Sequence, residues 1–301
     1  EAALAKNYGA APPAVVMQKV SGASSYFGVP DVYPWATRNA LPASAAPDPS
    51  KETVLFWNIP MAGGPIAKDY FRCLGRTIDV QTSEQQILKS KEFGLVKSGQ
   101  ADVIFSSSPD LALEHLFDPG HMARVLALFR HPVDRLVDKF YYLQVADWEN
   151  TYKPEWKEMD ILQWAQTVNQ DHDYMVKKLA GKMLSDEASQ NDLASAKKTV
   201  KQRFVVGLVD EMQESFKRIN IITGTNNDTN KNHKKCMLQL FGKKGKRNPM
   251  FAANAHPRIF KKDPAWQVLA QQNELDIQLY ESVVEVFQEQ KKEMKQWTKL
   301  A

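Results

Sequence analysis

A glycine pair lies between an apolar run and a helical pattern, in the layout of an anion-binding loop. The stretch NIPMAGGPIAKDY, from Asn58 to Tyr70, follows the apolar run TVLFW. Backbone amides at the start of a helix, together with the helix dipole, can hold a phosphate. The loop between Asn58 and Pro65 has no lysine, serine or threonine, and Pro65 carries no N–H. We therefore expect a strand-to-helix turn that has lost its side-chain contacts to an anion.

A second motif is more specific than the glycine pair. It reads RVLALFRHPVDRLVDKFYYLQ, in which an apolar strand pattern ends in Arg130 and a helix starts at Pro132. This resembles the 3′-phosphate motif of the sulfotransferase family, a strand followed by RxPxxRxxSxY/F and a helix. The residues of this motif resemble those of the membrane-anchored carbohydrate sulfotransferases, particularly the algal ones. The glycine stretch then aligns with that family's 5′-phosphosulfate loop, commonly IPKSGGTT, and the resemblance runs from Thr53 to Phe287.

The resemblance implies a P-loop-like fold, a three-layer α/β/α domain with a central parallel sheet. It also implies binding of 3′-phosphoadenosine 5′-phosphosulfate (PAPS) and transfer of the sulfuryl group to a hydroxyl or amine. In the family, backbone amides hold the 5′-phosphate, a lysine neutralises the bridging oxygen and a hydroxyl adds a donor. An arginine and a serine hold the 3′-phosphate, and a late basic loop closes over the nucleotide.

The first loop departs from the family at every side-chain contact. Gly63 and Gly64 remain, so the backbone can still make the tight turn, and we expect both glycines in that turn with Pro65 in the first helical turn. No catalytic residue is assigned, because the family's lysine position is occupied by methionine. The replaced contacts are Met61 for lysine, Ala62 for serine, and Pro65–Ile66 for the hydroxyl pair.

The second motif keeps its arginines but not its serine. Arg130 and Arg135 are present, whereas Asp138 stands at the serine position, where its carboxylate would face a phosphate. Two unit charges about 4 Å apart interact by about 4 kcal/mol at an effective dielectric of about 20, so the change opposes nucleotide binding. We expect Asp138 to pair with Arg130 or Arg135 in the space that a 3′-phosphate would take.

A basic segment late in the chain resembles the family's GKGKR closing loop. It keeps Lys244, Lys246 and Arg247, and between Lys231 and Lys262 there are ten Lys and Arg residues and no Asp or Glu. Two interpretations stay open: the segment retains affinity for an anionic nucleotide, or it is a solvated basic loop. Nucleic-acid binding is not expected, because no supporting fold or interleaved aromatic pattern accompanies the charge.

Composition and patterning divide the chain in two. Residues 1–50 are rich in Ala, Pro, Ser and Gly and show no periodicity, which predicts an extended N-terminal arm. Residues 51–301 form the sulfotransferase-like domain. The arm packs on its own domain or lies across another protein subunit, and the sequence leaves both open.

No apolar run approaches about eighteen residues, so no transmembrane segment is expected. The first residue, Glu1, suggests a processed chain, and the family's lumenal enzymes favour an organelle or secretory lumen over the cytosol.

The segments after residue 50 alternate between strand-like and helix-like patterns, as in an α/β domain with a parallel sheet. The two cysteines, Cys73 and Cys236, are either reduced core residues or the two halves of one disulfide. The histidines do not have the spacing of metal ligands, so no metal is expected. The patterns predict strands near 53–58, 102–106, 125–129 and 203–208, and helices near 65–75, 84–98, 110–117, 132–147, 159–181, 191–202, 210–223 and 264–296.

Two functions of different class compete. In the first, the chain has the sulfotransferase fold but has lost PAPS-dependent catalysis, needs no cofactor, and serves as a binding or structural subunit that engages other subunits through its arm. In the second, it is an active sulfotransferase that uses PAPS to modify a carbohydrate or a small hydroxylated acceptor. The changes at both motifs weaken phosphate binding, and no general base can be located, so the sequence favours the first.

Overall fold

The computed structural model describes residues 48, 50–149, 152–167, 171–223, 226–242 and 256–300. Nearly all of the predicted 1–50 arm, and the basic residues Lys244, Lys246 and Arg247, lie outside them. The elements are β1 Glu52–Trp57, α1 Gly64–Cys73, β2 Ile78–Gln81, α2 Glu84–Glu92, β3 Val103–Ser106, α3 Pro109–Leu116, β4 Met122–Phe129, α4 Pro132–Leu143, α5 Ile161–Thr167, α6 Tyr174–Leu179, α7 Gln190–Arg203, β5 Phe204–Leu208, α8 Met212–Ile222, α9 Asn226–Phe241, α10 Pro264–Gln271 and α11 Glu274–Leu300, with a 3₁₀ helix at Pro154–Glu158.

The five strands form one parallel sheet in the order β2-β3-β1-β4-β5. The central strand β1 is apolar from Val54 to Trp57, and all four of these residues are buried. Leu55 pairs with Ile104 of β3 on one side and with Val125 of β4 on the other. Strands that are covered on both faces need apolar residues at successive positions, which is why the sequence pattern shows runs rather than alternation.

Helices cover both faces of the sheet, which confirms the predicted three-layer α/β class. From β1 the chain crosses to β2 at one edge of the sheet, and its later crossovers run in the opposite direction, towards β5 at the other edge. Because crossovers between parallel strands are right-handed, crossovers that run in opposite directions place their helices on opposite faces. Helix α1 packs with α8 on one face, where the rings of Tyr70 and Phe216 lie 4.5 Å apart. Helix α11 packs on β5, where Gln290 accepts from Val206 N at 3.0 Å and donates to Phe204 O at 2.9 Å.

Four predictions about local structure were wrong. One is the single helix predicted over 264–296, which the structure divides into α10 and α11. The edge strand β2 was missed, because three of its four residues are half-exposed and it shows no apolar run. Helix α9 was missed, because it begins with a run of polar residues. The single helix predicted over 159–181 is instead two helices, α5 and α6, and Asp173, in the left-handed region at φ 47°, precedes α6.

The two cysteines are joined. Cys73 at the end of α1 and Cys236 in α9 form a disulfide with Cα atoms 5.8 Å apart, across 163 positions of sequence. Of the two possibilities left open by the sequence, the structure shows the second.

Within the described residues, none of the helices combines the length and the apolar composition that crossing a bilayer requires. The same residues contain no group of three or more His, Cys, Asp or Glu arranged to hold a metal ion.

Candidate functional site

The two motifs meet at one point of the sheet. Strands β1 and β4 are neighbours, but the chain leaves β1 towards one side of the sheet and β4 towards the other. Such a reversal opens a crevice at the carboxyl ends of the two strands, where open α/β sheets bind ligands. The glycine loop follows β1 and Arg130 follows β4. Arg130 Nη1 donates to the carbonyl oxygen of Met61 at 3.2 Å, so the two motifs are in direct contact.

The glycine loop makes the predicted strand-to-helix turn. Gly63 precedes α1 with φ 83° and ψ 16°, and Pro65 lies in the first turn of the helix. A Cβ on Gly64 would lie 1.9 Å from Oδ1 of Asn58, so no larger residue fits there without displacing that side chain. The structure therefore confirms both glycines in the turn and explains Gly64 by a close approach from Asn58.

The loop still presents backbone donors. Within the described part of the chain, the amides of Gly63, Gly64 and Ile66 have no hydrogen-bond acceptor, while the amide of Ala62 donates to Ile59 O at 3.2 Å. These amides lie at the positive end of the α1 dipole. The turn can therefore attract a small anion, but Pro65 supplies no donor.

The side chains of the loop add nothing to that attraction. Ala62 is buried at 2% exposure. Met61, at the lysine position of the resembled family, has φ 59° and carries no charge. A transferring sulfuryl group needs a cation beside the bridging oxygen, and the loop supplies none.

The expected ion pair of Asp138 is present, and its partner is Arg130. Arg130 Nη2 donates to Asp138 Oδ1 at 2.9 Å, and Nη1 donates to Oδ2 of the same carboxylate. This bidentate geometry is the one an arginine uses for a phosphate. Since a third bond goes to Met61 O, the guanidinium of Arg130 is engaged by the protein itself.

His256 is a third member of this cluster. Its Nε2–H donates to Asp138 Oδ1 at 2.7 Å, and its ring stacks on Tyr141 with centroids 4.5 Å apart and planes 10° apart. The segment after the basic region is thereby held against α4. Sequence reasoning missed this contact, because 118 positions separate His256 from Asp138 and no motif links them.

Arg135 does not face the crevice. Its side chain is 0% exposed, and Nη1 donates to Asp171 Oδ2 at 3.2 Å, which Lys139 Nζ also contacts at 2.7 Å. The guanidinium carbon lies 5.0 Å from the centre of the Tyr174 ring. Burial alone would raise the pKa of Asp171, but Arg135 and Lys139 hold it below its usual value. Of the two motif arginines, only Arg130 is therefore placed for a ligand in the crevice.

Of the seven expected binding residues, the structure brings four together: Gly63, Gly64, Arg130 and Asp138. The other three, Lys244, Lys246 and Arg247, lie outside the described residues. Comparison with protein-family models and with curated proteins finds no match. The sulfotransferase resemblance of the two motifs therefore stays an expectation.

Proposed function

We propose that the chain is a sulfotransferase-like protein that has lost PAPS-dependent catalysis and acts as a binding or structural subunit of a larger assembly. The observation that carries the proposal is the bidentate pair between Arg130 and Asp138. A carboxylate occupies the partner position that a 3′-phosphate would need. Met61 stands where the transferred group would need a lysine.

The charges explain why binding would be weak. A bound 3′-phosphate would have to replace the carboxylate of Asp138 on Arg130 and would then lie beside that carboxylate. Both groups are partly exposed, at 17% for Arg130 and 26% for Asp138, so solvent reduces the penalty. A residual cost of about 3 kcal/mol would still weaken binding by about a hundredfold.

The alternative function, an active sulfotransferase, draws on the unpartnered amides of the loop. Three backbone donors remain at the start of α1 although the loop has lost the side-chain contacts of the family. The basic residues of the late segment would add charge to them. Catalysis would still lack a cation at Met61, and for this reason we place the alternative second.

Titration calorimetry with adenosine 3′,5′-bisphosphate tests the proposal. We expect no measurable binding by the wild type at micromolar concentrations. In Met61→Lys/Asp138→Ser, the cation and the hydroxyl return while Arg130 is freed, and binding should tighten by about a hundredfold or more. Met61 already adopts a positive φ, so a lysine there meets the same backbone cost.

Asp134→Ser is the matched control, because it makes the same substitution on an exposed position of the same helix. It should leave the affinity unchanged. Micromolar binding by the wild type would contradict the loss of function. A folded double variant that gains no affinity would show that the crevice is not a nucleotide site.

A subunit role requires partners. The 1–50 arm is the segment that we assign to contacts with other protein subunits, and an organelle or secretory lumen is the compartment that we propose. The Cys73–Cys236 disulfide is compatible with a compartment outside the cytosol. Removing residues 1–50 and measuring assembly size by light scattering tests the role of the arm, and unchanged assembly would refute it.

A further inference from the structure

The Cys73–Cys236 disulfide links two helices that lead to different parts of the molecule. Helix α1 begins at the glycine turn and ends at Cys73. Helix α9 carries Cys236 and ends at Phe241, immediately before the basic segment. The bond therefore ties the helix of the candidate anion loop to the helix that delivers the chain's most basic stretch.

The two sulfurs differ in access. Cys236 is 1% exposed, whereas Cys73 is only partly covered. A thiolate from outside can therefore reach Cys73 and is excluded from Cys236. Gln239 Oε1 lies 3.5 Å from the Cys73 sulfur, where it can accept a hydrogen bond from the thiol that reduction creates.

Few other contacts hold the middle of α9. Between Asn232 and Gln239, Cys236 is the single fully buried residue of the described helix. His233 accepts or donates one hydrogen bond with Tyr70 Oη at 2.7 Å. The apolar anchors are at the C-terminal end of the helix, where Leu240 and Phe241 are buried.

Positively charged side chains lie near the middle of α9. Burial lowers the pKa of His233, and the positive charges of Lys217 and Lys234 lower it further. Lys234 and Lys235 are exposed on the outer side of α9. Without the disulfide, the middle of α9 is held by the hydrogen bond of His233, the buried Cys236 thiol and the partly buried side chain of Met237.

We propose that Cys73–Cys236 is a thiol–disulfide exchange site through which a dithiol reductant controls the anchoring of α9, whether or not the crevice binds a nucleotide. A thiolate of the reductant attacks Cys73 Sγ, which forms a mixed disulfide and expels the Cys236 thiolate. The second thiol of the reductant then attacks the reductant's first sulfur in the mixed disulfide. This attack closes the reductant's disulfide and releases Cys73 as a thiolate. Both thiolates take up a proton, and the reductant leaves as a disulfide.

Reduction of the native protein with dithiothreitol, without denaturant, provides the first test. We expect both thiols to appear, by alkylation and mass spectrometry, at least about tenfold faster than global unfolding measured by hydrogen exchange of β1. Amide exchange across 232–238 should rise by about tenfold or more, while exchange in α7 stays the same. Reduction no faster than unfolding, or unchanged exchange in α9, would assign the disulfide a purely structural role.

A pair of variants tests the direction of the attack. Cys236→Ser leaves the accessible thiol at position 73, and Cys73→Ser leaves the buried thiol at position 236. With glutathione disulfide, Cys236→Ser should form a mixed disulfide about tenfold faster or more, because its thiol is reachable without opening the helix. Equal rates would overturn the assignment of Cys73 as the attacked sulfur. Amide exchange of both variants should match that of the reduced wild type, which separates this inference from any result on nucleotide binding.

Discussion

The two arginines of the second motif lie five positions apart and have opposite environments. Arg130 is 17% exposed at the crevice and pairs with Asp138, whereas Arg135 is 0% exposed and pairs with Asp171. Both are bound by carboxylates, yet the pair of Arg130 is partly exposed, whereas that of Arg135 is almost wholly buried. The comparison shows that one motif combines a partly solvated ion pair with a buried one.

Helix packing explains the difference. Arg130 precedes α4, at the end of β4, while Arg135 lies within α4 on the face that buries Leu136 and Phe140. A fully buried cation must have a counter-charge, and Asp171 and Tyr174 are brought to it by the chain leading into α6. Removing each arginine should therefore have very different consequences.

The largest effect is expected for Arg135→Met. The substitution removes the fully buried cation beside the largely buried carboxylate of Asp171, which among the described residues keeps its contact with Lys139. Breaking a buried pair in this way costs about 3 kcal/mol of unfolding free energy. Urea denaturation monitored by tryptophan fluorescence measures it.

Arg135→Met/Asp171→Leu is the informative companion. If the loss comes from an uncompensated buried charge, removing that charge as well should restore more than half of the stability. A double variant that is less stable than Arg135→Met would show that the two residues contribute through packing rather than charge.

Asp276 is expected to make the unfolding free energy depend on pH, with an effect of intermediate size. Arg135 lowers the pKa of this residue. Its carboxylate is fully buried and accepts hydrogen bonds from Met175 N at 3.0 Å and Val176 N at 2.8 Å. Burial raises its pKa to about 7, although Arg135 and the two amides act in the opposite direction. Between pH 4 and 7 the folded protein then keeps a proton that the unfolded chain releases, so this group makes stability fall as the pH rises.

Asp276→Asn removes that dependence. As the pH rises from 4 to 8, the unfolding free energy of the variant should increase by about 2 kcal/mol relative to that of the wild type. This is about half of the effect expected for a full three-unit shift in the pKa of Asp276. Denaturation curves across this range provide the measurement. Parallel pH profiles for the two proteins would mean that the carboxyl group is ionised in the fold throughout the range.

The sequence predicted those parts of the fold that local burial determines. Four strands were found because each is covered on both faces, and β2 was missed because it is a half-exposed edge. The break before α6 has no glycine or proline to mark it. It depends on α11, because Asp173 Oδ1 accepts from Asp276 N at 2.9 Å across 103 positions.

The candidate site divides in the same way. The pairing of Arg130 with Asp138 could be predicted, because the two residues are eight positions apart and a buried or half-buried arginine needs a counter-charge. His256 and Asp171 could not be predicted, since tertiary packing alone brings them to the motif. The direction of Arg135 was missed for the same reason.

The smallest effect is expected for Arg130→Met, and it completes the comparison with Arg135. Its ion pair is partly solvated, so the pair contributes about 1 kcal/mol or less to stability. Salt should reveal its exposure: raising the ionic strength from about 0.05 M to about 0.5 M shortens the Debye length from about 14 Å to about 4 Å and should remove most of the difference from the wild type. The deficit of Arg135→Met should persist, because no solvent reaches that guanidinium. An Arg130→Met deficit as large as that of Arg135→Met, and insensitive to salt, would mean that both arginines hold the fold and that the crevice has no exchangeable charge.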